Sequence, residues 1–198
     1  MDALSFPIES LSLVTPRRQV AYECFDIVTL GPPGTSSEHA AKKIIKGNQS
    51  RIKLFSTYEA AEQHMLANPE ATGLLVANAY QHINRFYISS RNIPVAAFFI
   101  PTPPYLLASK ASVQHQDKIR ISSHKAPSHL IGKLLEGREH ELVEAHSTSQ
   151  AARMVTIGDV DACLTTRPAC EAENLVPISK TFIIPMLWTL FLSKEEYS

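Results

Sequence analysis

Thr29-Leu-Gly-Pro-Pro-Gly-Thr-Ser-Ser-Glu-His-Ala-Ala41 is the stretch that decides the fold. It continues a short apolar run over residues 25–30, which predicts a β-strand. Thr35 and Glu38 have the spacing of a capping box, so a helix is predicted to begin here and to run over residues 37–46. The chain holds 7 glycines and 13 prolines, and two of those glycines lie in the turn between strand and helix. The stretch therefore predicts one β/α unit joined by a stiff turn.

The turn is similar to the start of a phosphate-binding loop but lacks its chemistry. That loop requires G-x-x-x-x-G-K-[ST], in which the lysine contacts the β- and γ-phosphates. Here Gly34 is followed by Thr-Ser-Ser-Glu38, and the first lysine is Lys42. Glu38 would repel a γ-phosphate, so nucleotide hydrolysis is excluded.

The β/α alternation continues outward from this unit. Further strands are predicted at 52–55, 73–77, 93–100, 118–122, 141–145 and 161–165, and further helices at 57–68, 128–136, 149–158 and 168–173. Alternating strands and helices predict parallel sheets that carry helices on both faces. Prolines cannot lie in a central strand, so Pro101-Thr-Pro-Pro104 marks a boundary between two lobes. The apolar residues 182–192 are predicted to return to the first lobe.

The domain organisation follows from these boundaries. We predict an N-terminal arm at 1–22, a first lobe formed by 23–102 plus 180–198, and a second lobe at 103–179. A second capping motif, Ser147-Thr-Ser-Gln150, begins a helix of that second lobe. First helical turns carry free N–H groups that bind carboxylate or phosphate. Both motifs also fit a purely structural cap, and a shared cleft would favour ligand binding.

Composition excludes several classes of function. The 198 residues are 44% hydrophobic and 19% charged, with 19 basic and 19 acidic side chains. This balance gives no basic field for nucleic acid or an anionic membrane. No apolar run is long enough to span a bilayer, and no signal-peptide pattern is visible, so we expect a cytoplasmic protein. Cys24, Cys163 and Cys170 form no CxxC pair and are expected to be free thiols.

Metal-dependent and thiol chemistry are also not expected. The eight histidines form no metal-ligand pattern with cysteine or carboxylate. Cys163 lies inside a predicted strand, where a small core residue is expected and a nucleophile is not. A cysteine–histidine hydrolase is therefore excluded.

Several motifs resemble those of one enzyme family. Residues 29–41 are similar to the G-P-x-G-T-[FY]-S-x-x-A motif of prephenate dehydratase catalytic domains, and His146-Ser-Thr-Ser-Gln-Ala-Ala152 resembles their S-T-x-x-A-A helix start. Asp161-Ala-Cys-Leu-Thr165 resembles the strand that comes next. The resemblance covers roughly residues 25–192. It implies two α/β lobes with mostly parallel sheets and a cleft between them, as in type II periplasmic binding proteins.

Two segments depart from the dehydratase pattern. Val76-Ala-Asn-Ala-Tyr80 stands where dehydratases have E-N-S, and Trp188-Thr-Leu-Phe191 stands where they have T-R-F, so the threonine is kept and the arginine lost. These departures resemble the non-aromatising prephenate decarboxylases of bacilysin and aeruginosin biosynthesis. That branch implies a single catalytic unit without a regulatory domain, which decarboxylates prephenate to a dihydro-4-hydroxyphenylpyruvate for antibiotic or peptide biosynthesis. A prephenate dehydratase and a non-catalytic ligand-binding module are the alternatives.

The resemblance assigns roles to particular residues. Thr189 matches the family's catalytic threonine, whereas His82 and His124 are candidate proton donors because they follow predicted strands, where cleft residues belong. The predicted substrate-binding residues are Thr35, Ser36, Ser37, Asn78, Tyr80, Arg85, Ser147, Thr148, Ser149 and Trp188. Trp188 either walls the ring pocket or is a core aromatic, and Arg85 either clamps a carboxylate or lies on a solvated helix face. No metal or organic cofactor is expected, the partner is a small molecule, and a homodimer is possible.

Overall fold

The computed structural model describes residues 26–45, 51–110, 118–135 and 138–194. The predicted arm at residues 1–22 and Cys24 lie outside these ranges. The strands are β1 Asp26–Leu30, β2 Ile52–Phe55, β3 Thr72–Ala77, β4 Asn92–Phe99, β5 Tyr105–Ser109, β6 Ile119–His124, β7 His140–Ala145, β8 Ala162–Thr166, β9 Val176–Pro177 and β10 Leu187–Ser193. The helices are α1 Ser36–Ile44, α2 Tyr58–Ala67, α3 Asn84–Tyr87, α4 Ile131–Leu134, α5 Thr148–Ile157 and α6 Arg167–Ala172. One-turn 3₁₀ helices at Pro69–Ala71 and Ser128–Leu130 precede β3 and α4.

The strands form two five-stranded sheets, in the orders β2-β1-β3-β10-β4 and β7-β6-β8-β5-β9. The expected α/β class and two-lobed arrangement are confirmed. Each sheet is mixed, with a parallel set of three strands and an antiparallel neighbour, β10 beside β3 and β5 beside β8. The antiparallel strands arise because the chain crosses between the sheets after β4 and again before β10.

Each sheet is covered on both faces by apolar clusters. Neighbouring residues along a strand point to opposite faces. In the first sheet Val28 and Leu74 pack with α2, whereas Ile27 and Leu75 pack with α1. In the second sheet α5 and α6 pack on one face, and Leu130 and Ile131 pack on the other. Burial of these residues fixes the register of the strands that carry the candidate site.

The two crossings between the sheets run side by side. Thr102 donates its backbone N–H to the Ile184 carbonyl at 3.0 Å, and Ile184 donates back to Thr102 Oγ1 at 3.1 Å. Tyr105 and Phe182 exchange two backbone hydrogen bonds of 2.7 and 2.8 Å. The segments that join the sheets are therefore tied to each other as a short ladder.

Candidate active site

The carboxyl ends of the parallel strands in both sheets meet at one junction. In the first sheet, α1 begins after β1, α2 begins after β2, and β10 enters beside the end of β3. In the second sheet, α5 follows β7, α6 follows β8, and β6 ends at His124. Ligands of open α/β sheets collect at such edges. Hydrogen bonds between the two edges make this junction the candidate site.

Residues 35–37 are called the first capping turn. Together with Glu38 they form the predicted capping box. Thr35 Oγ1 accepts the Glu38 backbone N–H at 3.3 Å, and Glu38 Oε2 accepts the Gly34 N–H at 2.7 Å. Burial alone would raise the pKa of Glu38, but Lys42 and the Gly34 N–H outweigh it and hold that pKa below its usual value. Among the described residues, the N–H groups of Ser36 and Ser37 have no acceptor. The turn thus presents two donors at the positive end of a helix.

Residues 147–149, the second capping turn, repeat this arrangement. Ser147 Oγ accepts the Gln150 N–H at 3.0 Å, and Gln150 Oε1 accepts the His146 N–H at 2.6 Å. Within the described part of the chain no group accepts from the N–H of Thr148 or Ser149. Both capping boxes predicted from the sequence are confirmed, and each leaves a pair of donors for a ligand.

The two lobes touch at the first capping turn. Ser149 Oγ donates to the Pro33 carbonyl at 2.8 Å, and Thr166 Oγ1 donates to the Gly34 carbonyl at 3.1 Å. Gly34 has a φ of 87°, and a Cβ there would lie 3.1 Å from Ser149 Oγ. Glycine is therefore required here both by conformation and by space.

Two buried tyrosines hold the serines of the first capping turn. Tyr105 OH lies 3.2 Å from Ser36 Oγ, across the boundary between the lobes. Tyr58 OH lies 2.9 Å from Ser37 Oγ and accepts the Ala77 N–H at 3.3 Å. Burial raises the pKa of both phenols, so both stay protonated. Through Tyr58, the first capping turn is tied to the end of β3, next to Asn78.

Thr189 lies in a closed group of three polar side chains, the Asn78–Tyr87–Thr189 ring. Thr189 Oγ1 donates to Asn78 Oδ1 at 2.9 Å and lies 2.6 Å from Tyr87 OH. Asn78 Nδ2 donates to Tyr87 OH at 3.4 Å. Thr189 is 3% exposed, whereas Tyr87 is 41% exposed. The structure thus brings the predicted residues Thr189 and Asn78 together and adds Tyr87 to them.

Tyr80 and Arg85 both contact Glu59 at the start of α2. Tyr80 OH donates to Glu59 Oε1 at 2.9 Å, and Arg85 Nη1 lies 3.1 Å from the same oxygen. Burial, followed by the hydrogen bond and charge of Glu59, raises the pKa of Tyr80 to about 12. Arg85 is half exposed, and its charge is already paired. His82 is exposed, bonds to Gln81 at 2.8 Å and meets the Tyr80 ring edge-on at 5.5 Å.

Trp188 lies in the core of the first lobe. Its side chain is 1% exposed and belongs to an apolar cluster with Ala40, Ala41 and Leu75. Its indole N–H donates to the Ile100 carbonyl at 3.0 Å. Because Trp188 and Thr189 are consecutive in β10, their side chains point to opposite faces of the sheet. The structure therefore matches the core-aromatic alternative for Trp188 and separates it from the Asn78–Tyr87–Thr189 ring.

His124 is the predicted proton donor that lies in the second lobe. It ends β6, pairs with Ala145 and is partly buried. Burial is the main cause that lowers its pKa, with His146 adding to the effect and Glu144 opposing it. At neutral pH His124 is accordingly an uncharged imidazole close to the second capping turn.

The remaining reactive side chains in the described ranges offer no second centre. Among the described residues, no cluster of histidine, cysteine and carboxylate side chains could hold a metal ion. Cys163 and Cys170 are buried, and burial raises the pKa of both thiols. In the described part of the chain, no helix is both long enough and apolar enough to cross a membrane.

Sequence reasoning missed the tyrosines. Tyr58, Tyr87 and Tyr105 each contact a predicted site hydroxyl, but none was singled out. Tyr87 lies in the segment that departs from the dehydratase pattern, and this was the one available signal. Tyr58 and Tyr105 look like ordinary core aromatics in the sequence, because strand and helix patterns do not show which group a phenol hydroxyl contacts.

Comparison with known proteins gives consistent results. The chain is 36% identical to a prephenate decarboxylase from Bacillus subtilis (strain 168), covering 82% of this chain and 84% of that protein. It is 31% identical to a prephenate decarboxylase from Planktothrix agardhii, covering 84% and 87%. No protein-family model matches the chain.

Solved structures with the same fold are more distant in sequence. A prephenate dehydratase from Arthrobacter aurescens, in complex with L-Phe, superposes with a TM-score of 0.66 at 16% identity, over 85% of this chain and 60% of that one. A putative methionine-binding lipoprotein from Bacillus subtilis superposes with a TM-score of 0.52 at 11% identity, over 87% and 84%. At these identities the likeness concerns the fold, which is shared by enzymes and binding proteins.

Proposed function

The chain belongs to the prephenate decarboxylase family, and from that premise we propose that it removes carbon dioxide from prephenate without making the ring aromatic. The product is a dihydro-4-hydroxyphenylpyruvate. One observation carries the proposal: two helix starts, one from each lobe, each offer at the junction of the lobes two N–H donors that have no partner among the residues the structure describes. Prephenate has two carboxylates, which are the groups that such donors bind.

The first capping turn is the proposed site for one carboxylate. Thr35 shapes the turn, and the N–H groups and hydroxyls of Ser36 and Ser37 supply the donors. In the second turn, Ser147 caps the helix while Thr148 and Ser149 supply the donors. Holding both ends of the substrate fixes the ring between the lobes, which lowers the entropic part of the barrier.

The proposed reaction breaks the bond between the ring and its carboxylate. Carbon dioxide leaves, the electron pair moves into the ring diene, and a proton is added at a ring carbon. The carbon–oxygen bond of the 4-hydroxyl stays intact. The diene itself accepts the electrons, so the step is written without a metal or organic cofactor.

His82 and His124 are the proposed proton donors, and a pH–rate comparison separates them. The lowered pKa of His124 means that its protonated form readily gives up a proton. We expect His124→Gln or His82→Gln, whichever removes the donor, to abolish the alkaline limb of the kcat profile, because a proton donor acts only in its protonated form. Asn78 and Thr189 are proposed to face the substrate hydroxyl, while Tyr80 and Arg85 contact Glu59 and order the nearby segment.

Incubation of the wild-type protein with prephenate tests the proposal. Ultraviolet absorbance and product mass are followed together with carbon dioxide release. A dihydro-4-hydroxyphenylpyruvate is expected, and phenylpyruvate as the main product would instead support a dehydratase. Tight prephenate binding without carbon dioxide release would support a ligand-binding module of the same fold.

The biological setting is part of the proposal. Relatives named prephenate decarboxylase support prephenate as the small-molecule substrate. A role in antibiotic or peptide biosynthesis, a cytoplasmic location and a homodimer stay predictions from the sequence.

A further inference from the structure

The Asn78–Tyr87–Thr189 ring uses every hydroxyl proton that it contains. Thr189 donates its one proton to Asn78 Oδ1. In the 2.6 Å contact between Tyr87 and Thr189, the Tyr87 phenol must therefore be the donor and Thr189 Oγ1 the acceptor. Asn78 Nδ2 completes the circle by donating to Tyr87 OH. Each member therefore gives one hydrogen bond to the next and accepts one from the last.

The ring stays closed whichever way the Asn78 amide is turned. With the amide reversed, Asn78 would donate to Thr189, Thr189 would donate to Tyr87, and Tyr87 would donate to Asn78. In both arrangements the Thr189 proton remains inside the ring. Thr189 is left with acceptor lone pairs only and has no proton for any other group.

Packing holds the ring in place next to a surface that a ligand can reach. The Tyr87 ring meets Phe191 edge-on, with centroids 4.9 Å apart, and Phe191 is fully buried. Thr189 is nearly buried, so water has little access to it, whereas Tyr87 is partly exposed. The network therefore combines the buried hydroxyl of Thr189 with the partly exposed phenol of Tyr87.

This arrangement bears on the fate of the substrate hydroxyl. For the six-membered ring of prephenate to become aromatic, the electron pair released with carbon dioxide must expel the 4-hydroxyl. This hydroxyl leaves as water only after it takes up a proton. If the hydroxyl stays, the same electron pair ends as a new carbon–hydrogen bond. A side chain beside the substrate ring whose proton is already committed to another group cannot serve as the donor for expulsion, whereas a free hydroxyl can give its proton to the leaving oxygen and recover one from water.

Building on the proposed function, we infer that the Asn78–Tyr87–Thr189 ring is a specificity device that keeps the 4-hydroxyl on the product by withholding the Thr189 proton. Tyr87 is accordingly a positioning residue that acts through Thr189. Removing the phenol oxygen opens the ring, because the Asn78 amide can then turn and leave the Thr189 proton free. Removing the amide as well leaves Thr189 with no partner in the ring.

The test measures the ratio of phenylpyruvate to dihydro-4-hydroxyphenylpyruvate made from prephenate. Tyr87→Phe keeps the aromatic contact with Phe191 and is expected to raise this ratio about 100-fold, at the low end of what a positioned proton donor contributes. The double variant Tyr87→Phe/Asn78→Leu should raise it further. Adding Thr189→Val to the double variant should return the ratio to its wild-type value, because the freed proton is then gone.

Tyr105→Phe is the matched control. It removes another phenol that contacts a site hydroxyl, Ser36 at 3.2 Å, but lies outside the ring. Its product ratio should equal that of the wild type even if its rate falls. Circular dichroism and thermal unfolding show that each variant is folded, and Tyr87→Phe alone suffices should the double variant not fold.

Three results would overturn the inference in different ways. A wild-type protein that decarboxylates to the dihydro product, together with folded variants whose ratio is unchanged, overturns the ring's role and leaves the proposed function standing. A wild-type protein that makes mainly phenylpyruvate, or releases no carbon dioxide, overturns both. A ratio that rises equally with and without Thr189 also counts against the inference, since the proton must come from that residue.

Discussion

Residues 35–37 and 147–149 begin helices with the same hydroxyl-rich pattern, yet their third hydroxyls touch different groups. Ser37 contacts the Tyr58 phenol inside its own lobe. Ser149 crosses to the Pro33 carbonyl of the other lobe. The Ser37 hydroxyl is thus tied to the Tyr58 side chain, which also contacts the backbone next to Asn78. The Ser149 hydroxyl is tied to a backbone carbonyl.

The difference shows that a shared capping motif does not fix a shared role. We expect the Ser37 hydroxyl to act mainly on the substrate and the Ser149 hydroxyl to act mainly on the position of the lobes, while the N–H groups of both turns bind carboxylate. A hydroxyl that already donates to a carbonyl has spent its proton, while Ser37 beside a phenol can still donate to a ligand.

Gly34→Ala should break the contact between the two turns. The new methyl group would press on Ser149 Oγ, and the positive φ would add about 1–3 kcal/mol of strain. A shift of the first turn by an ångström should lower kcat/KM for prephenate about 100-fold. Gly158→Ala is the matched control, because Gly158 has the same φ of 87° but nothing within 4 Å of its Cβ position. Equal loss of activity in both variants would contradict the expected role of Gly34.

Ser37→Ala and Ser149→Ala should separate the two turns. Ser37→Ala should raise KM about ten-fold through loss of a ligand-binding hydroxyl, and it should also lower the free energy of unfolding by about 1 kcal/mol, because the buried Tyr58 phenol loses its partner. Ser149→Ala should lower that free energy by about 1 kcal/mol as well, through loss of the Pro33 contact, but with a smaller change in KM. Steady-state kinetics and urea unfolding measure both quantities. A larger KM effect for Ser149→Ala would reverse the assignment.

His124 should make a small pH-dependent contribution to stability in the second lobe. Its pKa is lowered on folding, mainly by burial, so the unfolded chain binds more protons just below the ordinary value of 6.5. The contribution of His124 to the free energy of unfolding is therefore fully present above pH 6.5, and it is lost as the pH drops below that value. Urea unfolding of wild type and His124→Gln across this range should show a shallower slope for the variant. An NMR titration midpoint at or above 6.5 for His124 would contradict this.

The sequence predicted most strands to within one or two residues, because apolar runs bounded by glycine, proline and polar residues have few alternatives. β5 was missed because Tyr105-Leu-Leu-Ala-Ser109 directly follows a proline-rich stretch that favours a linker. α3 and β9 are too short to show a period.

At the candidate site, the caps were predictable and the tyrosine contacts were not. A capping box is complete within four residues, so local spacing reveals it. Tyr105 and Ser36 are 69 residues apart, and Tyr87 and Thr189 are 102 residues apart. The first pair depends on how the two sheets are assembled and the second on where β10 inserts in its sheet, and a single sequence encodes neither in any local pattern.

The position of β10 has a consequence for how the protein is made. This strand inserts between β3 and β4 and carries Thr189, yet it follows the whole second lobe in the chain. During synthesis on the ribosome, β3 and β4 therefore emerge long before the strand that joins them. The first sheet therefore lacks the strand that joins β3 to β4 until the second lobe has been made, and assembly of the Asn78–Tyr87–Thr189 ring becomes one of the last events of folding.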